Sequence, residues 1–563
     1  MPRHSSDDPA RRALDALEKK SRRPILAAAA LASAASLLWI VQAYVAADLI
    51  GALVAGTATV EKAVFAAGLF VGFGLLRHGG QAHAARRAFR AAQMVVADER
   101  RRIVERESLV SPLASNRQSS AALATLVGNK LELLILWMAR YRVAAIKVAV
   151  VPLVILAAAL FWSWAAALIL LMSGPLIPLF MALIGFAARD ASEKHLAETG
   201  TLNGLLLEWL TAAFDIRLLN AEAATLARFE AAADSLRART MAVLRVAFLS
   251  STVLELFAAL GIALAAVYVG FSLLGTFSFG TYGTPLSVTG GIFILLLVPD
   301  FFLPMRELAA AWHDRAAALA VAGEVAALER GTAHTILGTG EKQPPLGGAP
   351  AIRAEGMGLS MSAGRHIRFP DFVVEPGDKV ALTGGSGAGK STLLYLLAGL
   401  AKPDHGALTI AGRPLDDDTA DAWRARIGYV GQHPHLLNAS VRANLALAET
   451  HADPGRLSAA LDKAQASDVV AGLPRGADTR LGENGAGVSG GEARRLMIAR
   501  AIYANADVII ADEPTADLDA LTAARITDAL LAAAELGATL IVATHDPALI
   551  ARMDREIRLE ARS

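Results

Sequence analysis

Ala381-Leu-Thr-Gly-Gly-Ser-Gly-Ala-Gly-Lys-Ser-Thr392 is the stretch whose reading decides the fold. Apolar residues from Val380 to Leu382 lead into glycines, then Lys390-Ser391, then an apolar run to Leu400. That order is strand, loop, helix, the setting a phosphate-binding loop needs. Gly384, Gly387 and Gly389 let backbone N–H groups turn onto phosphate oxygens with no Cβ in the way. Gly385, Ser386, Ala388 and Thr392 complete the loop and the first helical turn. Lys390 is spaced to reach β- and γ-phosphates, and the Ser391 hydroxyl to hold Mg²⁺. The helix that begins here turns its positive end toward the anion. A glycine-rich turn matching by chance is the plain alternative, and the strand–helix setting makes it the weaker one.

The chain's 563 residues suffice for several domains. Hydrophobic residues make up 54% of it and the mean hydropathy is +0.43, too apolar for an ordinary soluble protein. The apolar excess precedes the region of Ala310, and the remainder has the composition of a soluble α/β domain. The formal net charge of +1 says nothing by itself about nucleic acid, and no nucleic-acid partner is expected. With 0 Cys, disulfides, Cys-ligated zinc and thiol catalysis are excluded for this chain.

Residues 1–23 are polar and basic, with Arg11, Arg12, Lys19, Lys20, Arg22 and Arg23 ahead of an apolar run. A cleaved secretory signal would have a shorter apolar core than Pro24–Ala47, so a membrane span with a cytoplasmic N-terminus fits better. A span needs about 20 apolar residues. Six stretches approach that: Pro24–Ala47, Val60–Leu76, Val143–Trp162, Trp164–Phe186, Val246–Leu274 and Val288–Leu303. The connections Asp48–Thr59, Phe161–Trp164 and Ser272–Ser287 lack Lys and Arg and should face outward. Arg77–Arg142 and Arg189–Arg245 are charged and read as cytoplasmic. Both are long and helically periodic, which predicts membrane helices running on into the cytoplasm. Pro299, Pro304 and the Gly174-Pro175…Pro178 group fall inside spans, as hinges or as plain kinks. The expected layout is a cytoplasmic segment (1–23), a membrane domain (24–330), a Gly/Pro/Thr-rich linker (331–350) and an α/β domain (351–563).

In the α/β domain, Val508-Ile-Ile-Ala511 is an apolar strand ending in Asp512-Glu513-Pro514. Adjacent carboxylates at a strand end suit two jobs: Asp512 to orient Mg²⁺, Glu513 to polarise the water that attacks a γ-phosphate. Leu540–Thr544 is a second buried-type strand, ending at His545, which is then in reach of the same phosphate. Ser489, Gly490 and Gly491 open another helix as an anion-ready start, although a plain cap would also explain them.

Taken together, these residues resemble the ABC transporter ATPase. Gly384–Ser391 resembles its Walker A, Val508–Glu513 its Walker B, and Val488–Glu492 its signature, with Glu492 where Gln is common. Gln432 is similar to the Q-loop residue that meets Mg²⁺, Asp519 in Ala516-Asp-Leu-Asp519 to the D-loop, and His545 to the switch histidine. Gly482-Glu-Asn-Gly485 resembles the loop with which exporters touch membrane helices. Met361 stands where exporters usually place an aromatic ring under adenine. The implied fold is a six-helix membrane domain of ABC exporter type followed by an α/β P-loop ATPase.

The membrane half is similar, through Trp164–Leu171, Pro175–Leu183, Arg239–Ser251 and Val298–Arg306, to the D-subunit family of bacterial thiol-reductant exporters. That resemblance implies an inner-membrane heterodimer with a homologous C subunit. It also implies ATP and Mg²⁺ as cofactors, export of cysteine and glutathione, support of cytochrome bd assembly, and haem as a further ligand. A haem or lipid transporter, or an anchored ATPase that regulates a partner, are the alternatives. Charges inside membrane spans are costly and usually face a cavity. Arg77 and His78 follow the second span, Lys147 lies near the start of the third, and Arg245 opens the fifth. Arg306 ends the sixth, and His313 lies two turns on. Each alone reads equally as snorkelling to lipid phosphates. As a set they suit a small anionic solute, with His78 and then His313 as imidazoles for haem.

Overall fold

The computed structural model describes residues 9–114, 120–177, 180, 209, 212–330, 335–360, 366–482 and 487–560. It divides into two compact units: Met1–Arg102 with Ser119–Arg330, and Ile103–Gln118 with Gly331–Ser563.

The first unit is helical: α1 (Pro9–Val54), α2 (Val60–Ser108), α3 (Arg142–Trp162), α4 (Trp164–Ser173), α5 (Glu222–Leu273), α6 (Val288–Ala310) and α7 (Trp312–Arg330). α1 has 46 residues, a rod of ~69 Å and about twice the hydrocarbon thickness of a bilayer. Its charged N-terminal half and apolar C-terminal half therefore meet different solvents. α2 and α5 likewise run far past their apolar stretches, as the helical periodicity predicts. α1, α3 and α6 pack on one another, and α5 packs on α4 and α6. The shared core mixes Ala43, Ala47, Ala159 and Ala258 with Leu170, Leu297 and Phe302. Small residues let helix backbones approach closely where lipid offers no hydrophobic gain. The turn between α3 and α4 is held by Ser163. Its Oγ accepts from Ala166 N at 3.2 Å and donates to Gly280 O at 2.6 Å.

Among the described residues, four helical runs are long and apolar enough to cross a membrane: Pro9–Val54, Ala122–Trp162, Thr252–Leu273 and Val288–Arg330. They contain the first and third expected spans, most of the fifth, and the sixth. The second expected span is the start of α2. The fourth is α4 up to Ser173, and beyond Ile177 it lies outside the described residues except for Phe180.

The described residues of the second unit form ten strands: β1 (Ile352–Ser360), β2 (His366–Arg368), β3 (Phe372–Val374), β4 (Lys379–Thr383), β5 (His405–Ile410), β6 (Arg413–Pro414), β7 (Ile427–Val430), β8 (Val508–Asp512), β9 (Thr539–Ala543) and β10 (Arg555–Arg558). One sheet is parallel in the order β10-β4-β9-β8-β7. The other is antiparallel around β1. Every residue of β8 and β9 is buried. Such fully buried, largely apolar strands are what a sheet covered on both faces requires. Three helices frame the site: α8 (Lys390–Leu397), α9 (Gly490–Tyr503) and α10 (Ala520–Glu535).

The described part of the segment read as a linker is packed here. Leu337 N donates to Gly399 O at 3.0 Å, and Leu346 N to Ala422 O at 3.0 Å. The stretch after α2 joins the same unit: Ile336 N donates to Leu109 O at 2.9 Å, and Ser111 Oγ to Leu400 O at 2.6 Å.

Candidate functional site

The parallel register sets the site. β4 pairs Leu382 with Ala543 of β9, and β9 pairs Ala543 with Asp512 of β8. The C-terminal ends of three strands therefore finish side by side, where ligands of parallel sheets bind. Between β4 and α8, Gly384 has φ +146° and Gly389 φ +95°. A Cβ on Gly384 would lie 2.5 Å from Leu559 O, so both its conformation and its surroundings demand glycine. Lys390 Nζ donates to Gly384 O at 3.0 Å and lies 3.3 Å from Glu513 Oε1. Glu513 Oε2 is 2.8 Å from His545 Nδ1. Glu513 itself sits at φ +46°, a backbone region unusual for a side chain of its size, and its N–H donates to Ala543 O at 2.8 Å.

Asp512 is 3% exposed, and its Oδ1 has no hydrogen-bond partner. Burial pushes its carboxyl above the usual range, while a hydrogen bond from Ser391 pulls it down. A desolvated carboxylate with an idle oxygen beside a serine hydroxyl is a donor pair that fits a hard divalent cation. Gln432 is exposed and its carbonyl accepts from Arg494. The helix start at α9 is a capping box. Ser489 Oγ accepts from Glu492 N at 3.4 Å, and Glu492 Oε2 accepts from Ser489 N at 2.6 Å. Glu492 thus has a local structural job. Asp519 caps α10, accepting from Leu521 N and Thr522 N, and these hydrogen bonds, Thr522's first, hold its carboxyl below the usual range. Met361 and most of Gly482–Gly485 lie outside the described residues.

Sequence reasoning passed over Arg494. It is 6% exposed, and its guanidinium donates to Ala516 O at 2.6 Å and Gln432 O at 3.2 Å. One side chain on α9 therefore ties the loop after β7 to the loop after β8. An arginine shortly after Ser-Gly-Gly-Glu492 in a helix was the available signal, and its burial was not legible.

The helical unit places the expected solute residues individually. Arg77 Nη2 donates to Asp300 Oδ1 at 2.9 Å, with its guanidinium 4.8 Å from the Trp39 ring centroid. Lys147 Nζ meets Glu307 at 2.8 Å, and Arg306 Nη2 meets Glu255 Oε2 at 2.5 Å. The sequence reading weighed none of these carboxylates. α6 is the common element, supplying Asp300, Arg306 and Glu307. Arg245, His78 and His313 are exposed and have no ion-pair partner among the described residues.

A phosphate loop, paired carboxylates, a histidine and a capped signature helix, fused behind long apolar helices, define an ABC transporter chain. The model of the ABC transporter family matches residues 368–516, and that of the ABC transporter transmembrane region residues 25–296. A solved bacterial Atm1-family ABC exporter with ATP bound shares the fold. The TM-score is 0.75 over 97% of this chain and 95% of that one, at 22% identity. The glutathione/L-cysteine transport system ATP-binding/permease protein CydD of Haemophilus influenzae is 35% identical over 92% of this chain and 87% of its own. Its namesake in Escherichia coli is 37% identical over 81% and 77%. The chain belongs to the CydD family of ABC transporters. It is a multi-pass membrane protein whose ATPase domain binds ATP and couples its hydrolysis to transport.

Proposed function

We propose that the chain is one half of a heterodimeric exporter that moves cysteine- and glutathione-type thiols outward across the bacterial inner membrane, in support of cytochrome bd assembly. The observation that carries this is similarity over nearly the whole chain to proteins named for glutathione and L-cysteine transport. The second subunit is a homologous, CydC-like half. The Arg-rich stretches on the far side of the Lys- and Arg-free loops support a cytoplasmic N-terminus and ATPase.

In this reading the N–H groups of Gly384–Ser391 and the Lys390 ammonium hold the β- and γ-phosphates. Ser391 and Asp512, with Gln432 on the adjoining loop, would hold Mg²⁺, whose charge neutralises the phosphate oxygens when bound. Glu513 accepts a proton from the attacking water, and His545 orients that carboxylate. Ser489, Gly490, Gly491 and Glu492 face the nucleotide held by the partner subunit, with Asp519 fixing the loop between the two sites. Arg77, Lys147, Arg245 and Arg306 attract an anionic solute, and displacement of Asp300, Glu307 or Glu255 by the solute's carboxylates releases their cations. Haem is the competing cargo, with His78 and His313 as its imidazoles.

Inside-out vesicles from cells making both subunits provide the test. Labelled glutathione or cysteine should accumulate with ATP, and Glu513→Gln should abolish it. ATP hydrolysis without accumulation of either thiol would replace this reading with haem or lipid transport, or with an anchored regulatory ATPase.

A further inference from the structure

Two prolines and a glycine of the membrane unit line one cavity. Pro152 of α3, Gly174 and Pro175 after α4, and Phe301, Met305 and Trp312 on the α6–α7 side line a space of about 330 Å³. Gly174 packs directly on Phe301. A Cβ there would come within 2.9 Å of the Phe301 ring. The lining side chains are apolar, so water inside would lack the hydrogen-bond partners it needs, while an unfilled space would forfeit dispersion contacts. A flexible hydrocarbon chain satisfies both conditions.

The end of the cavity at Trp312 is chemically distinct. A π-helical turn, Trp137–Tyr141, directly precedes α3. Such turns are rare and recur at functional sites. It sets Tyr141 edge-on to Trp312, with ring centroids 6.1 Å apart. The Arg315 guanidinium lies 5.5 Å from the Trp312 ring centroid and 5.9 Å from that of Tyr141. Arg315 is exposed and has no carboxylate partner among the described residues. The neighbouring Asp314 is engaged by Arg140 at 3.6 Å, which leaves one positive charge over. From Val288 to Trp312 the helical path is ~37 Å, somewhat more than a hydrocarbon core, so these rings fall at headgroup depth. Aromatic girdles with a basic residue at that depth are how membrane proteins meet phosphate.

The geometry points to a bound anionic phospholipid: one acyl chain fills the cavity between α3, α4 and α6, and its phosphate rests on Arg315 over the Trp312–Tyr141 pair. None of its lining residues belongs to the Arg77–Asp300 pair, and the proposal does not depend on which solute is transported. The lipid would bridge α3, α4 and α6.

The test uses the full two-subunit complex in nanodiscs of phosphatidylglycerol and phosphatidylethanolamine in equal parts, doped with either lipid carrying a diazirine in its acyl chain. Photolabelled phosphatidylglycerol should map to peptides containing Pro152–Leu156 and Phe301–Trp312. Arg315→Ala should lower that labelling about five-fold, the ~1 kcal/mol of one basic residue at an anionic surface. Ala309→Trp, which fills the cavity, should remove labelling by both lipids. Millimolar inorganic phosphate should change nothing. Labelling elsewhere, labelling unaffected by both substitutions, or competition by inorganic phosphate would overturn the assignment.

Discussion

His545 Nδ1 lies 2.8 Å from Glu513 Oε2, joining the ends of two parallel strands through one hydrogen bond. The same carboxylate faces Lys390 across 3.3 Å through its other oxygen. Glu513 is thus held from both sides, with only 13% of its side chain exposed.

Glu513→Gln keeps the shape and removes the carboxylate proposed as the base. Hydrolysis by the complex should fall by about 10²–10⁴-fold, the usual weight of one positioned proton acceptor. Nucleotide binding should persist, whereas Lys390→Ala should weaken it. Single-turnover hydrolysis beside equilibrium binding separates the two. Near-normal turnover in Glu513→Gln would assign hydrolysis to the partner's site.

Asp512 gives a pH signature. Its folded carboxyl is raised, so the folded state favours the protonated form. The stability this group contributes is fully present below its unfolded pKa and is lost as pH rises through its folded pKa. Without Mg²⁺, Asp512→Asn should therefore raise the melting temperature at neutral pH, and the gain should vanish in acid. Mg²⁺ with nucleotide should stabilise the wild type and not the variant. Calorimetry across pH, with and without the metal, checks both signs.

Arg494→Met should leave two loop carbonyls, Ala516 O and Gln432 O, without their charged donor. Hydrogen bonds to a charged group are worth about 1.5–3 kcal/mol, so a clear loss of stability is expected, with slowed ATPase. Lys at this position should rescue poorly, because a point charge does not span both carbonyls as a planar fork does. Full rescue by Arg494→Lys would contradict the bridging role.

Arg77 and Asp300 should couple. Either single alanine strands a partially desolvated charge, so each should cost more stability than the double substitution adds beyond it. Arg77→Ala should also lower solute-stimulated ATPase with basal ATPase retained, and Asp300→Asn, which releases Arg77, should raise apparent affinity for an anionic thiol such as glutathione. A double-mutant cycle read by melting temperature and by stimulation tests this. Zero coupling energy would separate the two residues.

The ATP site was legible because its signals are local. Gly384, Gly389, Lys390 and Ser391 encode a turn and a helix start within eight residues, and a run such as Val508–Ala511 announces a buried strand through its own side chains. Backbone geometry at that scale follows from residue type, so motif order alone fixed the ATPase and its place behind apolar spans. Tertiary structure decided what long-range packing decides. Asp300 lies 223 positions from Arg77 and Glu307 160 from Lys147, and no periodicity relates them. The sequence reading took those cations as snorkelling singly or as an anion-binding set and left out their carboxylates, because helices distant in sequence bring each pair together only in the fold. Arg494 is the same case inside the ATPase: its two acceptors are carbonyls of loops that meet only once β7 and β8 are paired.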